Sequence, residues 1–210
     1  MLHELYQDLI AGVYPPVDGL TQVMPPPSGA AGAVLAFTGH CMVAADVDPA
    51  WIERACPPWD LLAATSPTFI LALEERLGCM AGPLDLVLCA SSEVGATEIA
   101  VIEEDAAFLH ARVRRAHLAR SEVRVFRTPD GAGLLTIGRG LAGRWEAGME
   151  VAAPQRNRGL GRALAAASRW LASPGEGIVM QVAPGNVASM RAILAGGFVP
   201  VGTEILFRER

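Results

Sequence analysis

A short loop rich in glycine and arginine joins a predicted strand to a predicted helix, and it constrains the fold more than any other segment. The strand is predicted at 145–152 and the helix at 160–171, where Ser173-Pro174-Gly175 ends it. A further strand is predicted at 178–183. Strand, helix and strand in this order form a right-handed crossover between parallel strands, which requires a sheet with a helix packed on one face.

The other segments also mix strands and helices, and no internal repeat is evident. Asp48-Pro49 and Ser66-Pro67 each supply an N-cap and a proline at the first helical position, and Gly78 ends the second of these helices. Further helices are predicted at 103–120 and 187–195. Strands are predicted at 32–47, 84–90, 98–102, 122–128 and 134–139, with a final pair around Phe198 and Ile205. This mixture predicts an α+β (mixed α/β) fold.

The chain divides into three predicted segments. Residues 1–30 end in Met24-Pro25-Pro26-Pro27-Ser28-Gly29 and predict an irregular arm, or a short helix followed by a proline-rich linker. Residues 31–95 form an N-terminal α/β region that either belongs to the core sheet or packs on it. Residues 96–210 form the domain that carries the glycine-rich loop.

Charge is distributed unevenly along the chain. No lysine is present, and residues 1–100 hold 2 arginines against 12 acidic residues. Residues 101–210 hold 15 arginines against 10 acidic residues. A basic half within an acidic chain predicts an anionic ligand in that half.

Several classes of protein receive no support from the sequence. The apolar stretches are too short to cross a bilayer, and the N-terminus lacks the pattern of a signal peptide, so a cytoplasmic protein is expected. The four cysteines form no C-x-x-C pair and the four histidines show no ligand spacing, so we expect neither a disulfide nor a metal site.

The glycine–arginine loop, residues 156–161, has the composition of an anion-binding site. Gly159 and Gly161 leave the backbone uncovered, and the first N–H groups of the helix have no partner within the helix. Arg156, Arg158 and Arg162 add forked donors that suit phosphate. The loop lacks both the Gly-Lys-Ser/Thr of a P-loop and the G-x-G-x-x-G of a dinucleotide site. A glycine-containing loop with solvated arginines remains the alternative.

Two segments together resemble the GNAT (general N-acetyltransferase) superfamily. Arg156-x-x-Gly159-x-Gly161 matches its R/Q-x-x-G-x-G/A signature, and Asn186 with Gly197-Phe198 matches its second conserved segment. The resemblance covers 145–210 and extends back to about 122. It implies a mixed, mostly antiparallel sheet with splayed central strands, here 145–152 and 178–183, flanked by helices and preceded by an N-terminal α/β extension.

The resemblance also implies a cosubstrate, acetyl-CoA, and the residues that hold it. Backbone groups of Met149 and Val151 would pair with the pantetheine arm, and the loop N–H groups would hold the pyrophosphate. Asn186 would lie near the pantetheine or the thioester, and it would equally serve as the N-cap of its helix. The implied acyl-CoA residues are Met149, Val151, Arg156, Asn157, Arg158, Gly159, Leu160, Gly161, Arg162 and Asn186.

The implied reaction moves the acetyl group to a primary amine of a small molecule or peptide, by direct transfer in a ternary complex. Glu146 and Glu150 are the candidate bases, and they should share one face of their strand. Either could instead pair with Arg139 or Arg144. Many relatives have a tyrosine that protonates the leaving thiolate, and Ile193 occupies that position here.

Two other functions remain open. A non-catalytic acyl-CoA-binding or regulatory module of the same fold is favoured by Ile193. Nucleic-acid binding by the arginine-rich segment 112–120 lacks interleaved aromatic residues and a known motif. We therefore expect acetyl-CoA and an amine acceptor as partners, neither nucleic acid nor membrane, and leave a homodimer open.

Overall fold

The computed structural model describes residues 2–95, 97–105 and 110–209. Within these residues, six α-helices pack against one sheet of 11 strands. The helices are α1 Leu2–Ile10, α2 Pro49–Ala55, α3 Pro67–Leu77, α4 Ala111–Ala119, α5 Leu160–Ser168 and α6 Val187–Ala195. The strands are β1 Thr21–Met24, β2 Gly32–Phe37, β3 His40–Ala44, β4 Met80–Ala81, β5 Asp85–Ser91, β6 Ile102–Glu104, β7 Ser121–Arg127, β8 Gly133–Arg139, β9 Trp145–Val151, β10 Gly177–Val182 and β11 Val199–Arg208.

The sheet is mixed and mostly antiparallel, which confirms the predicted fold class. Its strand order is β1-β3-β2-β11-β5-β10-β9-β8-β7-β6, with β4 paired to β11. Among the strands of the described residues, only the pairs β1–β3 and β9–β10 are parallel. The second of these is the predicted crossover, with α5 as the connecting helix.

The sheet runs through all three predicted segments. Strand β5, from the N-terminal half, lies between β10 and β11 of the C-terminal half and pairs with both. The N-terminal arm begins with helix α1, one of the two predicted forms, and then adds strand β1, which was not predicted. The division at residues 30 and 95 itself stays a prediction.

Local signals located several helix ends correctly. The Asp48 side chain accepts a hydrogen bond from the Ala50 N–H at 3.0 Å, and Ser66 accepts one from Phe69 at 3.2 Å. Gly78 adopts a left-handed conformation with φ 62° at the end of α3. Caps of this kind depend on a few neighbouring residues, and the sequence alone is therefore enough to predict them.

Four predictions of position or extent were wrong. The strand predicted at 98–102 lies instead at Ile102–Glu104, as β6. The strand predicted at 32–47 is a hairpin of β2 and β3 that turns at Gly39, which has φ 68°. The helix predicted at 103–120 is shorter, because residues 102–104 form β6 and α4 begins at Ala111; residues 106–109 lie outside the described residues. The final strand pair is one strand, β11, whose register with β5 shifts between Pro200 and Gly202.

The two faces of the sheet carry separate cores. Helices α5 and α6 cover one face, where Leu135, Trp145 and Ile178 are buried. On the other face α1 packs over β5 and β10, and α4 packs over β7 and β8. In the part of the chain that the structure describes, no helix combines the length and apolar character needed to cross a membrane.

Candidate functional site

Strands β9 and β10 separate part of the way along their length. They pair only over 145–147 and 178–180. Beyond that point β9 continues to Val151 and β10 to Val182 without pairing to each other. We call the space between 148–151 and 181–182 the gap. It is the splaying predicted from the resemblance.

The backbone of β9 turns alternate residues toward the gap. Just beyond β9, the Ala152 N–H donates to the Ala132 carbonyl at 2.8 Å, so the even-numbered residues of β9 bond to β8. The N–H and C=O groups of Met149 and Val151 therefore face the gap. Arg156 Nε donates to the Val151 carbonyl at 3.1 Å. Pairing with an extended ligand arm requires backbone groups that face the gap, as those of Met149 and Val151 do.

The glycine–arginine loop ends the gap at the start of α5. Asn157 has φ 60° and Gly159 has φ 87°, a left-handed pair that turns the chain into the helix. Gly159 is the N-cap and offers no side chain to the first N–H groups of α5. A Cβ atom at Gly161 would lie 3.3 Å from the Ala192 Cβ, so this glycine lets α5 pack closely on α6. The helix start is thus open to an anion.

Many arginines of the C-terminal half are paired with acids, whereas two at this loop are not. Within the described residues, arginines that form ion pairs with glutamates include Arg112, Arg120, Arg124, Arg127, Arg139, Arg144 and Arg169. Arg158 and Arg162 are exposed, and among the described residues neither has an ion pair. The charge imbalance seen in the sequence therefore becomes a local positive patch beside α5.

Asn186 caps helix α6. Its Oδ1 accepts a hydrogen bond from the Ser189 N–H at 3.2 Å, and the residue is exposed. The capping role that the sequence allowed is therefore present. The amide nitrogen of Asn186 remains a donor for a ligand.

Glu146 lies at the closed end of the gap, and both of its carboxylate oxygens accept hydrogen bonds. Its carboxylate accepts hydrogen bonds from Arg144 at 2.9 Å, Arg120 at 3.1 Å, and Gln181 and the Leu141 N–H at 3.2 Å each. Burial raises its pKa, but Arg144 and Arg120 outweigh that effect and hold the pKa below its ordinary value. Glu146 is therefore a buried carboxylate that stays ionised.

Glu150 lies on the same face of β9, with Gly148 between the two. It accepts a hydrogen bond from Arg112 Nε at 3.2 Å, and His110 Nε2 lies 3.7 Å from its other oxygen. Its side chain is 39% exposed, against 5% for Glu146. Of the two carboxylates only Glu150 is open to solvent.

A cavity of about 490 Å³ lies on this face, under α4 and beside the closed end of the gap. Neighbouring strands each contribute polar or small residues to its floor. These are Thr136 from β8, Glu146 and Gly148 from β9, Gln181 from β10, Asp85 from β5 and Glu204 from β11. The gap and the cavity meet at Gly148 and Gln181.

A buried polar network holds this floor together, and the sequence did not reveal it. Arg144 donates to Glu204 at 2.8 Å as well as to Glu146, and Gln181 donates to Glu204 at 2.7 Å. The Tyr6 hydroxyl donates to the other Glu204 oxygen at 3.1 Å, and the Arg144 guanidinium lies 4.2 Å from the Tyr6 ring centre. The local signal was an acidic residue, Glu204, directly before the apolar run 205–207 of β11.

Comparison with known proteins finds solved structures only. No family model and no curated protein matches the sequence. An acetyltransferase from the GNAT family from Colwellia psychrerythraea is 14% identical with a TM-score of 0.43, over 62% of this chain and 57% of that chain. A GCN5-related N-acetyltransferase from Kribbella flavida is 16% identical with a TM-score of 0.41, over 89% of this chain and 90% of that one.

The fold is GNAT-like. This conclusion follows from the parting of β9 and β10 and from the glycine–arginine loop that leads into α5. The chain spans little more than half the length of the Colwellia protein.

Proposed function

We propose that this protein is an N-acetyltransferase that moves the acetyl group of acetyl-CoA to a primary amine by direct transfer in a ternary complex. The observation that carries this proposal is the continuous path from the cavity, through the gap, to the open start of α5. The cavity end of this path holds acids and arginines together, and the other end holds the exposed Arg158 and Arg162. It suits a long ligand with a reactive group at one end and phosphates at the other.

Acetyl-CoA occupies this path in a defined direction. The pyrophosphate binds the N–H groups from Asn157 to Arg162, with the guanidinium groups of Arg158 and Arg162 beside it. The pantetheine arm pairs with the backbone of Met149 and Val151. The thioester then lies near Gly148, where the gap closes and the cavity begins.

The transfer itself needs an amine in its neutral form. The amine nitrogen bonds to the acetyl carbon, the bond between that carbon and sulfur breaks, and the CoA thiolate takes a proton. We assign the acceptance of the ammonium proton to Glu150, because it is partly exposed on the face beside the thioester. Glu146 acts as a positioning residue, since its oxygens already accept hydrogen bonds from two arginines.

A second function, a non-catalytic acyl-CoA-binding module, is supported by one observation. Ile193 occupies the tyrosine position of many relatives and is 2% exposed, packed in the core beside α5. The Tyr6 hydroxyl is directed to Glu204. Turnover therefore requires that another group or water protonates the thiolate.

Calorimetry with acetyl-CoA tests the binding step. Gly159→Glu places a carboxylate where the pyrophosphate binds and should weaken binding by about tenfold or more, because one lost charge-assisted contact already has this effect. Gly175→Glu is the matched control, since Gly175 also has a positive φ and open space but lies in the turn before β10. Equal affinity in the two folded variants would contradict the assignment of the loop.

Release of the CoA thiol across a broad amine panel tests the chemistry. We expect turnover with the wild type, a large loss of kcat in Glu150→Gln, and unchanged binding of acetyl-CoA by that variant. Saturable binding without thiol release from any amine would instead support the binding module. The cytoplasmic location, the lack of nucleic-acid and membrane partners, and a homodimer stay predictions.

A further inference from the structure

We propose that the cavity binds an acceptor that carries an anionic group as well as its amine, with Asp85 binding the ammonium group and Arg115 and Arg208 the anion. This inference rests on the proposed function in one respect, because it takes the cavity as the acceptor site of the acyl transfer. It goes further by naming the class of acceptor.

Asp85 is the one acid of the cavity floor whose charge is not already compensated. Glu146 and Glu204 both bind Arg144, and Gln181 donates to each of them. Within the described residues, no hydrogen bond or ion pair reaches the Asp85 carboxylate. It lines the cavity in a half-buried position, so a cation inside the cavity would be its natural partner.

The electrostatics of Asp85 agree with an absent cationic partner. Burial raises the pKa of its carboxyl group, and the neighbouring charge of Glu204 raises it further. Asp85 and Glu204 face each other across the β5–β11 pair, so their side chains share one side of the sheet. An ammonium group bound there would relieve the repulsion between them.

The position of Asp85 places a bound amine close to the end of the gap. Gln181 lies opposite Val87 in the β10–β5 pair, and Asp85 is two residues further along β5. Strand geometry then puts the Cα atoms of Asp85 and Gln181 about 8 Å apart. An amine held by Asp85 therefore lies on the same side of the sheet as Gln181, where the gap meets the cavity.

The cavity also carries two arginines whose charges are not compensated. Arg112 and Arg120 line it but pair with Glu150 and Glu146. Arg115 of α4 and Arg208 of β11 also line it, are exposed, and have no ion pair in the part of the chain that the structure describes. Their guanidinium groups suit a carboxylate or a phosphate.

Direct binding of small amines, measured by ligand-observed NMR with and without acetyl-CoA, tests the inference independently of turnover. The probes are γ-aminobutyrate, its carboxamide (which keeps the ammonium group but lacks the carboxylate charge), putrescine and aminopropyl phosphate. We expect one or both anionic amines to bind about tenfold or more tightly than the carboxamide and putrescine, as expected for one charge-assisted contact. The relative affinity of γ-aminobutyrate and aminopropyl phosphate distinguishes a carboxylate site from a phosphate site.

Variants assign the two ends of the acceptor. Asp85→Asn should weaken the binding of all amines, whereas Arg208→Gln and Arg115→Gln should weaken only the anionic ones. Arg54→Gln is the matched control, because Arg54 is exposed on α2 and lies outside the cavity. Equal affinity for all four probes, no binding of any probe, or no change in the Asp85 and arginine variants would overturn the inference.

The two proposals can fail separately. If acetyl-CoA binds and some amine is acetylated without any preference for anionic amines, the inference fails and the proposed function stands. If the anionic amines bind at Asp85 but acetyl-CoA does not bind, the proposed function fails and the cavity remains a site for such amines.

Discussion

The guanidinium group of Arg144 donates to the carboxylate of Glu204 at 2.8 Å, and both side chains are at most 3% exposed. The two residues are 60 positions apart in the chain. Because Arg144 also binds Glu146, it joins the start of β9 to β11 and holds the floor of the cavity together.

Removing this arginine should strongly destabilise the protein. Arg144→Met keeps much of the apolar stem but leaves Glu146 and Glu204 with less compensation in a buried site, and we expect a loss of about 3–5 kcal/mol. Urea unfolding measures it. Arg124→Met is the control, since Arg124 pairs with Glu103 at an exposed site and should cost at most about 1 kcal/mol. A similar loss in both variants would contradict the role given to the buried network.

Glu146 should make stability depend on pH in the acid range. Its pKa in the folded protein is held below the ordinary value of 4.5, so its stabilising effect is present above that pH and is lost as the pH falls through the folded value. The difference in unfolding free energy between wild type and Glu146→Gln should therefore be largest near neutral pH and shrink below about 4.5. A difference that stays constant through the acid range would contradict this sign.

Asp85 should make stability depend on pH in the opposite direction. Burial raises the pKa of its carboxyl group above the ordinary value of 3.8, so the folded state binds that proton more tightly than the unfolded state. Stability contributed by this group falls as the pH rises from 3.8 through the folded value. Asp85→Asn, which cannot ionise, should unfold at a higher temperature than wild type at neutral pH. This difference in melting temperature should disappear as the pH falls to about 3.8. A neutral-pH melting temperature below that of wild type would argue against this reasoning.

Asn186 should serve two roles that substitutions can separate. Asn186→Ala removes the cap of α6 and should cost about 1 kcal/mol, whereas Asn186→Asp keeps the acceptor oxygen and should preserve stability. Both variants lose the amide donor, and both should weaken acetyl-CoA binding several-fold if Asn186 contacts the ligand. Wild-type affinity in Asn186→Asp would restrict Asn186 to capping, which calorimetry and thermal unfolding together resolve.

Structural features that depend on residues close together in the sequence were predicted well. The caps at Asp48 and Ser66 and the hairpin of β7 and β8 depend on a few adjacent residues. The extents of β2, β3 and α4 were predicted poorly, because a run of apolar residues does not show where a chain turns back on itself. The loop leading into α5 was predicted because its glycines and arginines are contiguous in the sequence.

The sequence by itself determined the crossover from β9 to β10, the glycine–arginine loop and the excess of arginine in the C-terminal half. Only the tertiary structure decided that β5 lies between β10 and β11, that Asp85 and Glu204 line one cavity, and that Tyr6 and Arg144 both bind Glu204. The physical reason is the range of the interactions. Caps and loops form between neighbours in the chain, whereas a buried ion-pair network depends on strand pairing between residues far apart, which no local pattern encodes.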